Sequence, residues 1–301
     1  MNTRIFIGCL AFASGALLQA APLTESTFTE LVRTVEVLAQ PTKNAAPAKL
    51  NELLKAPDLV RTGIGSRAEL TAPDQTITRV GANTVFSFAP SGREINLELG
   101  SILFHSPSGR GGGTIKSGGA SAAVSGTTLI VAATPATHSN DQNGFKVILL
   151  EGSGRVTLGN GRHRTLKAGQ MIFVLPNHSD FGPLLTINLT KLVGGSALVN
   201  GFSHTLPSLP LIQLAIQQQQ LSLQNGQATD TGTPADNFVN NPTPPDNGPH
   251  AGPNGGDPGI IQIGVNYPPA QNAANGGQPF ANGPNIPGFT PPAAPLKVQT
   301  F

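Results

Sequence analysis

Ala120-Ser121-Ala122-Ala123-Val124-Ser125-Gly126-Thr127-Thr128-Leu129-Ile130-Val131-Ala132 is the stretch on which the fold turns. Two short runs of small and β-branched residues flank a Ser-Gly break, and each is too short for an ordinary helix. Both read as strands. Ala122 to Val124 and Leu129 to Val131 carry so little polar alternation that they are expected to be central and covered on both faces.

The same texture extends outward in both directions. Apolar runs at 66–70, 77–80, 84–88, 95–99, 102–105, 146–151, 154–158, 164–166 and 171–175 recur at intervals of about ten residues, as in an all-β sandwich, barrel or solenoid. Ala72-Pro73-Asp74, Pro90-Ser91-Gly92, Asn143-Gly144 and Gly159-Asn160-Gly161 supply the turn chemistry between them. Upstream, 28–38 is rich in Thr and Val and reads as one strand, followed by a linker at 44–54 with a short helix through Leu50, Leu53 and Leu54. Downstream, 184–199 adds one or two apolar segments. Ser208, Pro210 and Gly226 then bracket a helix over 208–224, with Leu211, Leu214, Ala215, Ile216, Leu221 and Leu223 as its apolar face. Its Gln217 to Gln220 run is polar all round, which places the helix on the surface of the β module.

The two ends differ from this middle. Arg4, the apolar run 5–18 and Leu18-Gln19-Ala20 have the three parts of a secretory signal, with cleavage after Ala20. That run falls short of the roughly 20 residues of a spanning helix, so an uncleaved anchor is the minor alternative. Cys9, the single cysteine, lies inside it, and cleavage leaves no thiol for disulfides, thiolate catalysis or a Cys-based zinc site. Residues 225–301 are dominated by Pro, Gly, Asn, Ala and Gln and cannot bury enough apolar surface to offset ordering, so a disordered tail is expected. Its one aliphatic run, Ile260 to Val265, has the length of a strand that docks on an open sheet edge.

Several spaced motifs in this order resemble the FecR domain. They are Val60-Arg61-Thr62-Gly63 with Gly65-Ser66-Arg67-Ala68-Glu69-Leu70, then Thr78-Arg79-Val80-Gly81-Ala82-Asn83-Thr84, then Glu94 to Phe104, then Ala122 to Thr128, and finally Leu166-Lys167-Ala168-Gly169-Gln170. The resemblance implies an extracytoplasmic, solenoid- or sandwich-like all-β module that receives signals or binds envelope proteins. The best-known members carry a cytoplasmic anti-sigma region and a membrane helix before this module. No such region precedes the apolar run here, and Trp, common in it, is absent, so only the module carries over.

No residue is nominated as catalytic, cofactor-binding or metal-binding. In Gly109-Arg110-Gly111-Gly112-Gly113-Thr114-Ile115-Lys116-Ser117, Ile115 occupies the place where a phosphate loop needs Gly, so a flexible hairpin loop is expected. The six histidines (His105, His138, His163, His178, His204, His250) show no ligand spacing. His178-Ser179-Asp180 has triad residue types, but adjacent side chains diverge. Asp141 and Glu151 lie in separate segments and form no acid and base couple. Asn177-His178-Ser179 and Asn188-Leu189-Thr190 match the glycosylation pattern only by coincidence. The net charge of +2 comes from scattered basic residues without aromatic platforms, which argues against nucleic acid. Arg110, in the glycine loop 106–113, is the one partner-contact residue put forward.

The expected organisation is a signal peptide at 1–20, an N-terminal strand and linker at 21–57, a FecR-like β module at 58–205, a helix at 206–224 and a disordered tail at 225–301. The expected function is that of an exported, non-enzymatic module, periplasmic, cell-surface or secreted. It binds an envelope protein or polymer, with neither cofactor nor stable membrane span, and a structural or adhesive surface or matrix protein is the alternative.

Overall fold

The computed structural model describes residues 21–134, 144–174, 179–228, 230–234 and 262–264, the last two segments by backbone alone. Along the chain the strands are β1 (Glu25–Val32), β2 (Val35–Ala39), β3 (Asn44–Pro47), β4 (Leu53–Lys55), β5 (Leu59–Thr62), β6 (Arg67–Thr71), β7 (Ile77–Val80), β8 (Val85–Phe88) and β9 (Glu94–Ser106). They continue as β10 (Gly113–Ser117), β11 (Ala120–Val124), β12 (Thr127–Thr134), β13 (Gly144–Glu151), β14 (Ser153–Leu158), β15 (His163–Lys167), β16 (Gln170–Val174) and β17 (Leu185–Ile187). Helices α1 (Leu189–Gly195), α2 (Ala197–Asn200) and α3 (Leu209–Gln224) follow, then β18 (Asp230–Pro234) and β19 (Gln262–Gly264). The chain is mainly β, as expected.

Strand pairing divides these elements into two sheets. Sheet A runs β4-β1-β6-β7-β9-β12-β13-β16-β17-β19-β18, antiparallel until the two parallel pairings of β19. Sheet B runs β3-β2-β5-β8-β9-β10-β11-β14-β15, with one parallel pairing between β9 and β10. β9 belongs to both. Its first half pairs with β8 and β10, and its second half, from Gly100 onward, pairs with β12. At the crossing Val85 faces Leu99 while Phe86 faces Leu97, so Glu98 is an extra residue, and Gly100 follows with φ +87°. A bulge and a left-handed glycine together turn the strand from one sheet into the other. The two runs 95–99 and 102–105, separate in the sequence reading, are therefore one strand.

Alternation then assigns each side chain to a layer. Phe28, Val60, Phe86, Ile95, Phe104, Val131 and Val147 fill the space between the sheets. Leu103, Ile130, Ile148, Leu150 and Met171 point the other way and meet Leu189, Leu192, Leu198 and Ile212 of the helical layer. The order is sheet B, core, sheet A, second core, helices. β12 is accordingly buried on both faces, as its sequence suggested. β11 is not: Ala122 and Val124 are buried but Ser121 and Ala123 face outward, because among the described residues only sheet A has a second layer over it.

Other expectations change. The linker and helix expected at 44–54 are strands β3 and β4, which pair with β2 and β1. The segment 28–38 is two strands in different sheets, broken at Arg33 with φ 60°. The helix at 209–224 is present, but its buried residue is Ile212, while Leu211, Leu214 and Leu221 are exposed. Gln219 explains the seating: its amide donates to Ile187 O at 2.7 Å and accepts from Leu189 N at 2.9 Å, tying α3 to the junction of β17 and α1. β19 lies inside the expected Ile260 to Val265 strand and runs parallel to β17. The signal segment, and the tail apart from 225–228, β18 and β19, lie outside the described residues.

Candidate functional site

Sheet A is sealed by the helices, whereas the outer face of sheet B has no layer over it among the described residues. Register places one polar row across that face. Ser87 pairs with Asn96, Asn96 with Lys116, Lys116 with Ser121, Ser121 with Thr157, and Thr157 with His163. Strand neighbours lie about 4.8 Å apart, so the row advances by that step per side chain. The next row is Glu94, Thr114, Ala123, Arg155 and Thr165. Lys116 Nζ and Glu94 Oε2 pair at 2.6 Å between the two rows.

The middle of the first row lines a groove of about 530 Å³, together with Glu98, Ser117 and the glycines at 118, 119 and 159. Gly118 and Gly119 both have positive φ and turn β10 into β11. Gly159 approaches this turn so closely that an added Cβ would stand 3.2 Å from Gly119 O. Low relief at this end of the sheet is thus written into the glycines. Ser117 is buried, and its Oγ has no hydrogen-bond partner among the described residues.

The helix-covered face of sheet A is polar in a different way. His105, Thr128 and Glu151 stand opposite one another on β9, β12 and β13. Thr128 Oγ1 lies 2.9 Å from His105 Nδ1, donates to Glu151 Oε1 at 2.8 Å and meets Ser208 Oγ at 2.7 Å. Burial pushes the His105 pKa down. Burial also pushes Glu151 up, against the opposing hydrogen bonds from Thr128. These are hydrolase residue types, but all four side chains are buried, which denies a substrate access. The network fastens the start of α3 to the sheet.

Arg110 is exposed in the loop between β9 and β10, with its N–H on Pro107 O at 3.2 Å. That loop is a crossover from sheet A to sheet B, not the expected hairpin, because β10 pairs in parallel with the first half of β9. Its far end is packed: Arg93 Nε donates to Gly112 O at 2.6 Å, and a Cβ on Gly113 would stand 2.5 Å from the Phe104 ring. The structure does not bring Arg110 into the groove lining.

The remaining candidates disperse. His163 ends the polar row on exposed β15, His204 lies 3.8 Å from Glu30, and His138, His178 and His250 are outside the described residues. Asp180 pairs with Arg162 at 2.7 Å, and the Phe181 N–H with that arginine holds its pKa down. Asn188 caps α1 by accepting from Lys191 N. Among the described residues no three His, Cys, Asp or Glu side chains form a metal-binding group, and no helix is long and apolar enough to cross a membrane. The polar row escaped the sequence reading because its members come from six strands whose register no local pattern declares. The Gly118-Gly119 turn was the one visible signal.

Two crystal structures described as those of a "putative anti-sigma factor" from Parabacteroides distasonis align with this chain at 19% identity and a TM-score of 0.35. The alignments cover 46% of this chain, and the chain spans 65% and 64% of the length of those proteins. No curated protein matches. The family model described as FecR protein matches residues 58–155, from the start of β5 into β14. That interval contains the junction strand β9, most of sheet B and the middle strands β6, β7, β12 and β13 of sheet A, and it identifies this part of the chain as a FecR domain.

Proposed function

We propose that this chain is an exported, non-enzymatic FecR-domain protein of the bacterial envelope, periplasmic or on the cell surface, whose β module binds an envelope protein or polymer. One observation carries the reading: among the described residues the module closes one broad face with helices and leaves the other open, polar and grooved. An open face of mixed donors and acceptors suits recognition. The cluster of His105, Thr128, Glu151 and Ser208 is buried and suits fastening. Export rests on Arg4, the apolar run and the cut after Ala20.

The test is cross-linking of the mature chain in its native envelope, followed by capture, with intact mass to locate the first residue. Capture of a defined partner by a chain beginning at Ala21 is expected, and turnover of any member of a hydrolase substrate panel is not. A chain that captures nothing overturns the binding reading in favour of a structural or adhesive one, to which the Pro- and Gly-rich composition of 225–301 is suited.

A further inference from the structure

We infer that the outer edge of β15, at the end of sheet B, docks an extended acidic segment of a partner protein, which adds to the sheet as one more strand. This rests on the binding reading above and names the kind of segment bound. Backbone register shows which groups are open. Leu158 N donates to Arg162 O at 2.8 Å, and hydrogen-bonded pairs alternate along an antiparallel ladder, so Arg164 and Leu166 turn their N–H and C=O towards β14. Those of His163, Thr165 and Lys167 turn away from it. Gln170 Oε1 accepts from Lys167 N at 2.9 Å, and among the described residues nothing pairs with the N–H or C=O of His163 and Thr165. Residues 179–181 meet the hairpin elsewhere. At its turn Asn160 Nδ2 donates to Ser179 O at 2.9 Å and Arg162 pairs with Asp180, while Phe181 packs on the core with its ring 6.0 Å from the Arg164 guanidinium.

An extended peptide presents N–H and C=O groups in the alternation that such an edge requires, which a sugar, a lipid or a helix does not. β15 also lacks the backbone devices that close an edge. It has five residues with no proline, bulge or positive φ, whereas β3 at the opposite end of sheet B has four and ends in Pro47.

Charge selects the kind of peptide. Between 152 and 179 the chain has Arg155, Arg162, His163, Arg164 and Lys167 and no Asp or Glu. Arg162 is held by Asp180, but Arg155 and Lys167 have no carboxylate partner among the described residues. Val156 and Leu166 point into the core, so Arg164 stands on the core side of the edge, while Lys167 and, diagonally across from it, Arg155 stand on the outer face. Side chains of an added strand alternate between those two faces and meet a cation on each. The same charges oppose pairing with a second copy of this hairpin, so the edge admits an acidic strand and rejects a like one.

The experiment uses the chain beginning at Ala21 and follows its amide shifts and the anisotropy of labelled probes. The probes are an octapeptide of repeated Glu-Glu-Val-Val and its Lys-Lys-Val-Val counterpart, with inorganic polyphosphate and phosphatidylglycerol vesicles as competitors. The acidic peptide is expected to shift the His163 and Thr165 amides, to bind at least about tenfold more tightly than the basic one and to weaken as salt is raised. Thr165→Pro removes an N–H that the β14 ladder does not use, and is expected to cut that binding about tenfold or more in a chain that stays folded. Arg164→Glu/Lys167→Glu, at exposed positions, is expected to reverse the preference towards the basic peptide, and decides the matter should Thr165→Pro not fold. No binding of the acidic peptide overturns the inference, and so does binding that survives both variants. Polyphosphate or vesicles that displace the peptide, and bind Thr165→Pro as well as the parent, would show a general anion surface and overturn it too. If both variants still capture the parent's partner from the envelope, the edge falls and the binding reading stands. If the parent captures nothing and binds no peptide, both fall.

Discussion

Arg79 on β7 and Glu69 on β6 stand directly opposite each other, and their side chains close a buried ion pair at 2.8 Å. The arginine also donates to Leu198 O at 3.2 Å, to Val199 O at 2.8 Å and to His204 O, and its guanidinium lies 4.5 Å from the centre of the Phe202 ring. One side chain thus joins two strands of sheet A to the end of the helical layer.

Removing that arginine leaves Glu69 buried and unpaired along with three unmet carbonyls. Arg79→Met is expected to cost about 3–5 kcal/mol in urea unfolding. The double variant Glu69→Gln/Arg79→Met is expected to lose less than the two single losses added together, because no buried charge is stranded. A single-variant cost near zero would show that the helical layer is held without this clamp.

The polar row beneath α3 predicts a pH profile with two opposed slopes. His105 has a folded pKa below its ordinary 6.5, so its contribution is fully present above that value and is lost as pH falls through the depressed one. Glu151 has a folded pKa above its ordinary 4.5, so its contribution is present below that value and is lost as pH rises through the raised one. Glu151→Gln keeps an acceptor for Thr128 but cannot ionise. Its melting temperature is expected to exceed the parent's at about pH 8 and to converge on it towards pH 4.5. Equal offsets at both pH values would contradict the burial of this carboxylate.

Gly100 is the corner of β9. Its φ of +87° disfavours any side chain, and an added Cβ would stand 2.5 Å from Thr84 Cα and 2.7 Å from Asn83 O. Gly100→Ala is expected to cost at least about 1–3 kcal/mol from backbone strain, with crowding added. Gly92, at φ +75° with open space around it, is the control. Gly92→Ala carries only the left-handed penalty of about 1–2 kcal/mol. Similar thermal losses for both would mean that the corner relaxes.

The layer order makes a third contrast. Val131→Asp puts a carboxylate between the sheets, and Ile130→Asp puts one between sheet A and the helices. Both are expected to prevent folding, since a buried unpaired charge costs several kcal/mol. Ala123→Asp, on the open face of sheet B, is expected to leave the unfolding free energy within about 0.5 kcal/mol of the parent. A folded Ile130→Asp protein would remove the second core.

Much of this fold was legible in local pattern. The runs at 77–80, 120–124, 127–132 and 171–174 are strands, and Ser208, Pro210 and Gly226 bracket α3, because apolar periodicity and backbone-restricting residues act over a few positions. Less of the site was legible. Arg110 stood out for its glycine setting, yet Asn96, Lys116, Ser121 and Thr157 are unremarkable in their own segments and become a row only when four strands fix their order and register.

The sequence by itself determined the β class, the strand rhythm, the FecR motifs and the shift in composition after residue 224, all of which follow from side-chain chemistry read over a short window. Only the tertiary structure decided that β9 serves both sheets, that β3 and β4 are strands, and that Leu211, Leu214 and Leu221 face outward while Ile212 is buried. These depend on pairings between residues far apart in the chain. There the burial of a whole face outweighs local propensity, and a one-residue change of register would send every side chain to the opposite layer.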